Sequence, residues 1–337
     1  LPECHNRLIG EIARRQPNTV VVLMNGSAVI MPWAKQVKAI VEAWLGGQAG
    51  GEALARMLTG KINPSGKLSE TFPHQLRDTP AFLNFPGKNG DTLYGEGVFV
   101  GYRYYEKKRI EPLFPFGFGL SYTSFSYSGL KISPVSLNQP GEVEVEFSVQ
   151  NTGERAGKEV VQLYVREENP FLTRPDKELK RFAKIELQPE ETKTLVFTLR
   201  PRDFASYDLQ AGGWRVHPGE YVVLVGGSSA DTPLQEILQI EAGDTDLPHL
   251  TRYSMLKEFA AHPKGRETYE QLVEGIIQMV GSTDDDMSDI DRENREKAAN
   301  MMRSFLDDMP IFKMVAFTRG AYSEEMIEEL LAKVNDG

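Results

Sequence analysis

Thr19-Val20-Val21-Val22-Leu23-Met24 is an unbroken apolar run, entered from Pro17-Asn18 and left through Asn25-Gly26-Ser27. Such a run, rich in β-branched residues, reads as a strand covered on both faces, the kind found in parallel sheets. A strand of this kind cannot stand alone, because its buried N–H and C=O groups need ladder partners. Upstream, Pro2-Glu3 reads as a first helical turn, with Leu8, Ile9 and Ile12 at helical spacing. Downstream, Val37, Ile40, Val41, Trp44 and Leu45 fall on one stripe and predict a second helix. Gly46 to Gly51 then leads into a third, from Glu52 to about Leu58. No second strand is found before residue 70. Residues 1–75 are therefore expected to be the C-terminal part of an α/β domain whose other strands are missing from the chain.

The first residues agree with that expectation. The chain opens on Leu1-Pro2 instead of Met, with no basic or apolar leader before it. Either a longer precursor was processed or the sequence is a piece of a longer protein. At 337 residues, length predicts two or three domains.

Residues 76–128 are dense in Gly, Pro and aromatic residues, from Phe85-Pro86-Gly87 through Tyr94-Gly95-Glu96-Gly97 to Phe114-Pro115-Phe116-Gly117-Phe118-Gly119. A flexible linker would be poor in aromatics, so this is expected to be an ordered, extended connecting segment packed across other domains. In residues 129–243, Val143, Val145, Phe147 and Val149 alternate with polar residues, the period of a half-buried strand. Further strands are predicted at Val160–Val165, Leu179–Leu187, Thr194–Leu199 and Tyr221–Val225, separated by turn signals. Together they predict an immunoglobulin- or fibronectin-type β-sandwich.

Residues 244–337 read as an acidic helical tail. Leu272, Ile276, Ile277 and Val280 form one stripe, and Ile327, Leu330, Leu331 and Val334 another. Ser323, followed by Glu324 and Glu325, has the pattern of a helix N-cap. The fold class is thus multidomain: a partial α/β sandwich, an immunoglobulin/fibronectin-III-like β-sandwich and an α-helical tail.

Charge excludes some functions. The net charge is −10, with Lys+Arg 38 against Asp+Glu 48, which disfavours a nucleic-acid binder or a polybasic membrane-surface protein. A single cysteine, Cys4, excludes an internal disulfide framework and a Cys-based zinc finger.

The motifs that invite chemistry mostly fail its requirements. Gly60-Lys61-Ile62-Asn63-Pro64-Ser65-Gly66-Lys67-Leu68 has one residue too many between its glycines for a phosphate-binding loop. Leu68 also replaces the Ser/Thr, and Pro64 removes an N–H from the cradle, so a structural turn is expected. Gly46–Gly51 lacks dinucleotide-fingerprint spacing and is expected to follow a helix, which points to close backbone packing. Ser27 and Ser121 do not sit in a nucleophile elbow. None of His74, His217, His249 and His262 belongs to a metal-binding pair, and Asp284–Asp291 lacks the glycine of a calcium loop. Glu96, between two glycines and among aromatics, is the one candidate catalytic carboxylate. It could touch a sugar or act as an acid, or it could anchor backbone amides or pair with Arg103. No cofactor and no metal are called for.

Beyond these local patterns, Val20-Val21-Val22-Leu23-Met24-Asn25-Gly26-Ser27-Ala28-Val29 and Trp44-Leu45-Gly46-Gly47-Gln48-Ala49-Gly50-Gly51 resemble glycoside hydrolase family 3. Gly60–Leu68 with Thr71-Phe72-Pro73, Gly95–Tyr105 and Phe114–Tyr122 continue the likeness in order. Asn151-Thr152-Gly153, Val160–Val165 and Arg174-Pro175 with Lys177–Lys180 are similar to the family's fibronectin-III-like domain. The resemblance covers about residues 1–230. The tail resembles an extension on some bacterial β-glucosidases, which inclines the localisation toward the bacterial cytoplasm.

The resemblance implies a retaining β-glycosidase acting on terminal β-linked sugars of oligosaccharides or glycosides through a covalent glycosyl-enzyme. Its nucleophile would be an Asp on an N-terminal (β/α)8 barrel and its acid/base a Glu upstream of Leu1. Neither maps onto this sequence, so the chain is expected to support a missing barrel and to be inactive alone. Two alternatives stand beside it: a non-catalytic carbohydrate- or partner-binding module, and a chain that pairs with a separately encoded barrel subunit. For the binding module, Trp214 and Tyr221 are the few candidate platforms, and both fit a core. A β-xylosidase-type specificity of the parent enzyme is a further alternative, because the sugar is chosen by barrel contacts.

Overall fold

Helix α1 (Glu3–Arg15) begins directly after Pro2, whose carbonyl accepts from the backbone N–H groups of His5 and Asn6. The computed structural model describes residues 1–170, 172–209, 212–241, 249–280, 289–318 and 320–336, and it divides into two units. The first comprises residues 1–206 and 214–241, the second residues 207–213 and 242–337.

In the first unit α1 leads into β1 (Val20–Leu23), the strand expected from the apolar run. The stripe from Val37 to Leu45 is not a helix. After a short 3-10 turn at Ala34–Gln36 the chain forms β2 (Ala39–Glu42), which pairs parallel with β1 in the register Val21↔Ile40 and Val22↔Val41. Helical spacing is imitated here by a short strand with a turn at each end. Ile40 and Val41 are β-branched and suit a ladder, and β1 offers one whose backbone groups must be satisfied. Trp44 takes a left-handed φ of 47° and Leu45 is 83% exposed, so the stripe never faces one core. The expectation of a lone strand before residue 70 is corrected too, since β1 has one partner; its other edge is unpaired among the described residues.

Gly46–Gly51 consequently follows a strand, not a helix, and opens α2 (Gly50–Leu58). Val21, Leu23, Met31, Trp33 and Phe72 form the core of this part, joined by half-buried Ile9, Val37, Ile40 and Trp44. Trp33 donates its indole N–H to the Asn6 side chain at 2.9 Å, which fixes α1 on that core.

The aromatic segment runs back through this core and onward. Phe72 and Phe114 exchange backbone hydrogen bonds, as do Leu68 and the Gly117–Phe118 turn. Helix α3 (Tyr102–Lys108) lies between.

The sandwich follows, with β3 (Phe125–Ser133), β4 (Ser136–Leu137), β5 (Val143–Asn151), β6 (Gly157–Glu167), β7 (Glu178–Leu187) and β8 (Thr192–Leu199). After a single helical turn, α4 (Pro201–Phe204), come the short strands β9 (Ser206–Asp208) and β10 (Gly213–Arg215), then β11 (Gly219–Gly226) and β12 (Leu234–Ile240). Three strands in the order β3-β5-β8 face five in the order β4-β12-β11-β6-β7. The alternation in β5 is literal: Val143, Val145, Phe147 and Val149 are fully buried while Glu144 and Glu146 are exposed. They meet Val161, Leu163, Val165, Tyr221, Val223 and Val225 from the facing sheet.

Strand β6 is buried on its other face as well. There Tyr164, with Val222 and Leu224 of β11, packs beneath Tyr102 and Phe116 of the aromatic segment. The Tyr102 ring stacks on Phe116 at 4.9 Å and meets Tyr164 edge-on at 5.9 Å.

The second unit holds α5 (Leu256–Ala261), α6 (Arg266–Val280), α7 (Asp289–Asp307), α8 (Met314–Phe317) and α9 (Glu324–Asp336) around their own core. Leu272 and Ile276 of the first predicted stripe and Ile327, Leu331 and Val334 of the second are buried in it. The side chain of Val280 and the run Asp284-Asp285-Asp286 lie outside the described residues. Ser323 caps α9, its hydroxyl oxygen accepting from the Met326 N–H at 3.3 Å. Among the described residues no helix is long and apolar enough to cross a membrane.

Candidate functional site

Glu96 lies in a tight turn in which Gly97 N–H donates to Tyr94 O and Phe99 N–H to Glu96 O, with Gly97 at a φ of 56°. Its side chain is half-buried, and Oε2 is shielded from solvent with no hydrogen-bond partner in the structure. The pairing with Arg103 does not form. Arg103 instead reaches Glu178 of β7 at 3.0 Å. Around Glu96 the chain presents apolar side chains outward: Leu83 is 90%, Phe85 70% and Tyr94 78% exposed.

Glu178 is the hub of a buried ion network. It takes Arg103 at 3.0 Å, Arg174 at 3.1 Å and Lys180 at 3.2 Å. Arg174 also binds Glu167 and donates to the Phe204 carbonyl at 3.2 Å. Burial alone would raise the Glu178 carboxyl, but Lys180, Arg103 and Arg174 outweigh it and hold the carboxyl below its ordinary value of 4.5. A carboxylate depressed in the folded state stabilises above its unfolded pKa, and that contribution is lost as pH falls through the folded value. Unfolding midpoints are therefore expected to drop on acidification from about pH 5 to about pH 3. Glu178→Gln should flatten that slope; an unchanged slope would show that the network carries no pH-dependent stability.

The glycine-lysine motif is used internally. Lys67 is a mostly buried cation, 3.0 Å from Glu159 of β6 and donating to the Gly119 carbonyl at 3.1 Å. Tyr127 of β3 donates to the same Glu159 oxygen at 3.1 Å. Asn63 accepts from the Ser121 hydroxyl and the Tyr122 N–H and donates to the Ala156 carbonyl. Residues that superficially suggest a phosphate cradle thus tie residues 60–68 to the sandwich, as the expected structural turn would.

The remaining candidates stay apart. Ser27 is an exposed bend residue, and Ser121 Oγ is engaged with Asn63. His217 and His262 are buried in different units, while His74 and His249 are exposed. Among the described residues no group of three or more His, Cys, Asp or Glu could hold a metal ion. Tyr221 is a core residue whose hydroxyl donates to the His217 carbonyl at 2.8 Å. Trp214 is not in the core; it is 51% exposed, with the Arg202 guanidinium 3.1 Å from its ring centre. Sequence reading missed the Glu178 and Glu159 hubs, because their partners come from segments about 50 to 90 residues away.

A short parallel sheet, an aromatic strap and a fibronectin-like sandwich, joined by buried ion pairs and carrying one orphaned carboxylate, define an accessory half of a larger α/β enzyme. Residues 1–122 match the glycosyl hydrolase family 3 C-terminal domain, and residues 159–229 a fibronectin type III-like domain. The chain belongs to glycosyl hydrolase family 3, of which it carries the C-terminal portion. It is 44% identical over 336 residues to the thermostable beta-glucosidase B of Acetivibrio thermocellus, covering all of this chain and 43% of that protein. The crystal structure of the Bifidobacterium adolescentis GH3 beta-glucosidase superposes with a TM-score of 0.72 at 40% identity, over 79% of this chain and 39% of that one. Beta-glucosidase from Kluyveromyces marxianus, solved in complex with glucose, gives a TM-score of 0.68 at 42% identity, over 72% of this chain and 29% of that one. The chain thus spans less than half the length of the proteins it matches.

Proposed function

We propose that this chain is the C-terminal portion of a retaining β-glucosidase that hydrolyses terminal β-linked sugars, and that its role is to support the catalytic barrel. Domain limits of 1–75, 76–128, 129–243 and 244–337 go with this reading. The observation that carries it is the apolar surface of the connecting segment. Phe82, Leu83, Phe85, Leu93, Tyr94 and Val98 are all exposed within seventeen residues, a density that marks an interaction surface. A barrel of about 250 residues would cover it, and the Acetivibrio relative is more than twice as long as this chain.

Retaining hydrolysis takes two carboxyl groups about 5–5.5 Å apart, one as nucleophile and one as acid/base. Here the ion-paired carboxylates Glu159, Glu167 and Glu178 are occupied by cations, which leaves Glu96 as a carboxylate beside the apolar surface. Its place on the strap suits a wall of the active-site entrance better than the reacting centre.

Aryl β-glucoside and aryl β-xyloside turnover by the 337-residue chain is the test, beside the protein extended upstream through the barrel. Turnover is expected only in the extended protein and to be greater on the glucoside. Turnover by the short chain, abolished by Glu96→Gln, would overturn the reading and make Glu96 catalytic.

A further inference from the structure

Strand β1 uses only one of its edges. Thr19 O and Leu23 O accept from Lys38 N–H and Ala43 N–H, both at 2.9 Å, on the β2 side. Because successive residues of a strand point their backbone groups to opposite edges, Val21 belongs with Thr19 and Leu23. The N–H and C=O groups of Val20 and Val22 are thereby aimed away from β2, where no strand lies among the described residues.

That edge opens into a groove of about 480 Å3 between β1 and α1. Helix α1 presents two neighbouring faces. Ile9, Asn6 and Ala13 belong to the face packed on the Trp33 core. Leu1, His5, Leu8 and Ile12, one helical stripe further round, line the groove. Leu8 is 58% and Ile12 45% exposed there, so the helix overhangs the open edge with apolar side chains.

A helix that leads into a parallel strand packs across both the strand it feeds and the strand that feeds it, by a right-handed crossover. Helix α1 covers one such strand and has an empty apolar stripe over the place of the other. We propose that the groove is the seat of a parallel strand from the part of the enzyme upstream of α1. This strand would hydrogen-bond to Val20 and Val22 and place β-branched or other apolar side chains under Leu8 and Ile12. The inference rests on the reading of the chain as part of a larger hydrolase and adds where, and in which direction, the missing half joins it. The join is then a continuous sheet as well as a surface contact.

Residue-resolved hydrogen exchange on the 337-residue chain and on the upstream-extended protein tests it. In the short chain the Val20 and Val22 amides are expected to lack the protection that Val21 and Leu23 show. In the extended protein all four should be protected. Val20 and Val22 amides that exchange alike in both proteins would overturn the proposal. If the extended protein is active while those amides stay unprotected, the strand proposal fails and the hydrolase reading stands; protection without turnover gives the reverse.

Val22→Pro removes the N–H aimed into the groove and spares the bonds to β2. Expected results are an unchanged unfolding midpoint for the short chain and lost turnover for the extended protein. Should Val22→Pro prevent folding of the short chain, Leu8→Lys with Ile12→Lys replaces it, since both side chains are exposed there. Full turnover by an extended protein carrying both lysines would count against the strand.

Discussion

Arg174→Ala is expected to destabilise the first unit by about 3–5 kcal/mol, the cost of removing one partner from a buried ion pair. Arg174 and Glu167 expose only 6% and 3% of their side chains. Without the guanidinium, Glu167 is left as a charge in the sandwich wall, and the Phe204 carbonyl loses its donor. Lys158→Ala makes the comparison, because Lys158 and Glu186 are a surface pair with about half of each side chain exposed. Its effect should lie within about 1 kcal/mol. All three tryptophans, Trp33, Trp44 and Trp214, lie in the first unit, so denaturant unfolding followed by their fluorescence reports that unit alone. Equal midpoints for the two variants would show that the Arg174 network is not a stabilising element of this fold.

That network also explains which parts of the molecule could be read from sequence. The sandwich was legible because alternation in β5 and the runs in β6, β7, β8 and β11 follow the two-residue period, and burial obeys it. The tail was legible because its stripes repeat at helical spacing over several turns. Strand β2 was not, since four residues are too few to separate a strand from a helix by period. Its identity is decided by the ladder with β1, a contact between residues nineteen apart.

The site was legible only as a list of residue types. Glu96 stood out by its glycine neighbours, and the structure does leave its carboxylate in a special position. Its expected partner was wrong because Arg103, on the first turn of α3, is turned toward β7 by the packing of Tyr102 on Tyr164 and Phe116. Tyr102 OH also accepts from the Leu179 N–H at 2.8 Å, which pins α3 beside Glu178. No local pattern contains that information.

Lys67→Met carries the second large effect, again about 3–5 kcal/mol by loss of a buried counter-charge. Glu159 exposes only 6% of its side chain and would keep only the Tyr127 hydroxyl printed beside it. Burial and the neighbouring Glu159 push the Tyr127 phenol well up, so it remains a donor at any ordinary pH. It can soften the loss of Lys67 but cannot neutralise the charge. Gly119→Ala attacks the same joint without touching a charge. A methyl there would sit 2.4 Å from the Gly66 carbonyl oxygen and 3.0 Å from the Lys67 side chain, so backbone must move. Overpacking of this kind costs about 1–3 kcal/mol. Because Lys67 comes from the loop after α2 and Glu159 from the sandwich, both variants should loosen the α/β part from the sandwich before either melts. Limited proteolysis is then expected to cut near residues 60–68 faster in both variants than in the parent chain. A parent-like cleavage rate with a parent-like midpoint for Lys67→Met would remove the joint from the account of how this half holds its shape. In the extended hydrolase the same variants should lower turnover, since the strap that bears Glu96 leaves and re-enters the fold between Phe72 and Phe114, on either side of that joint.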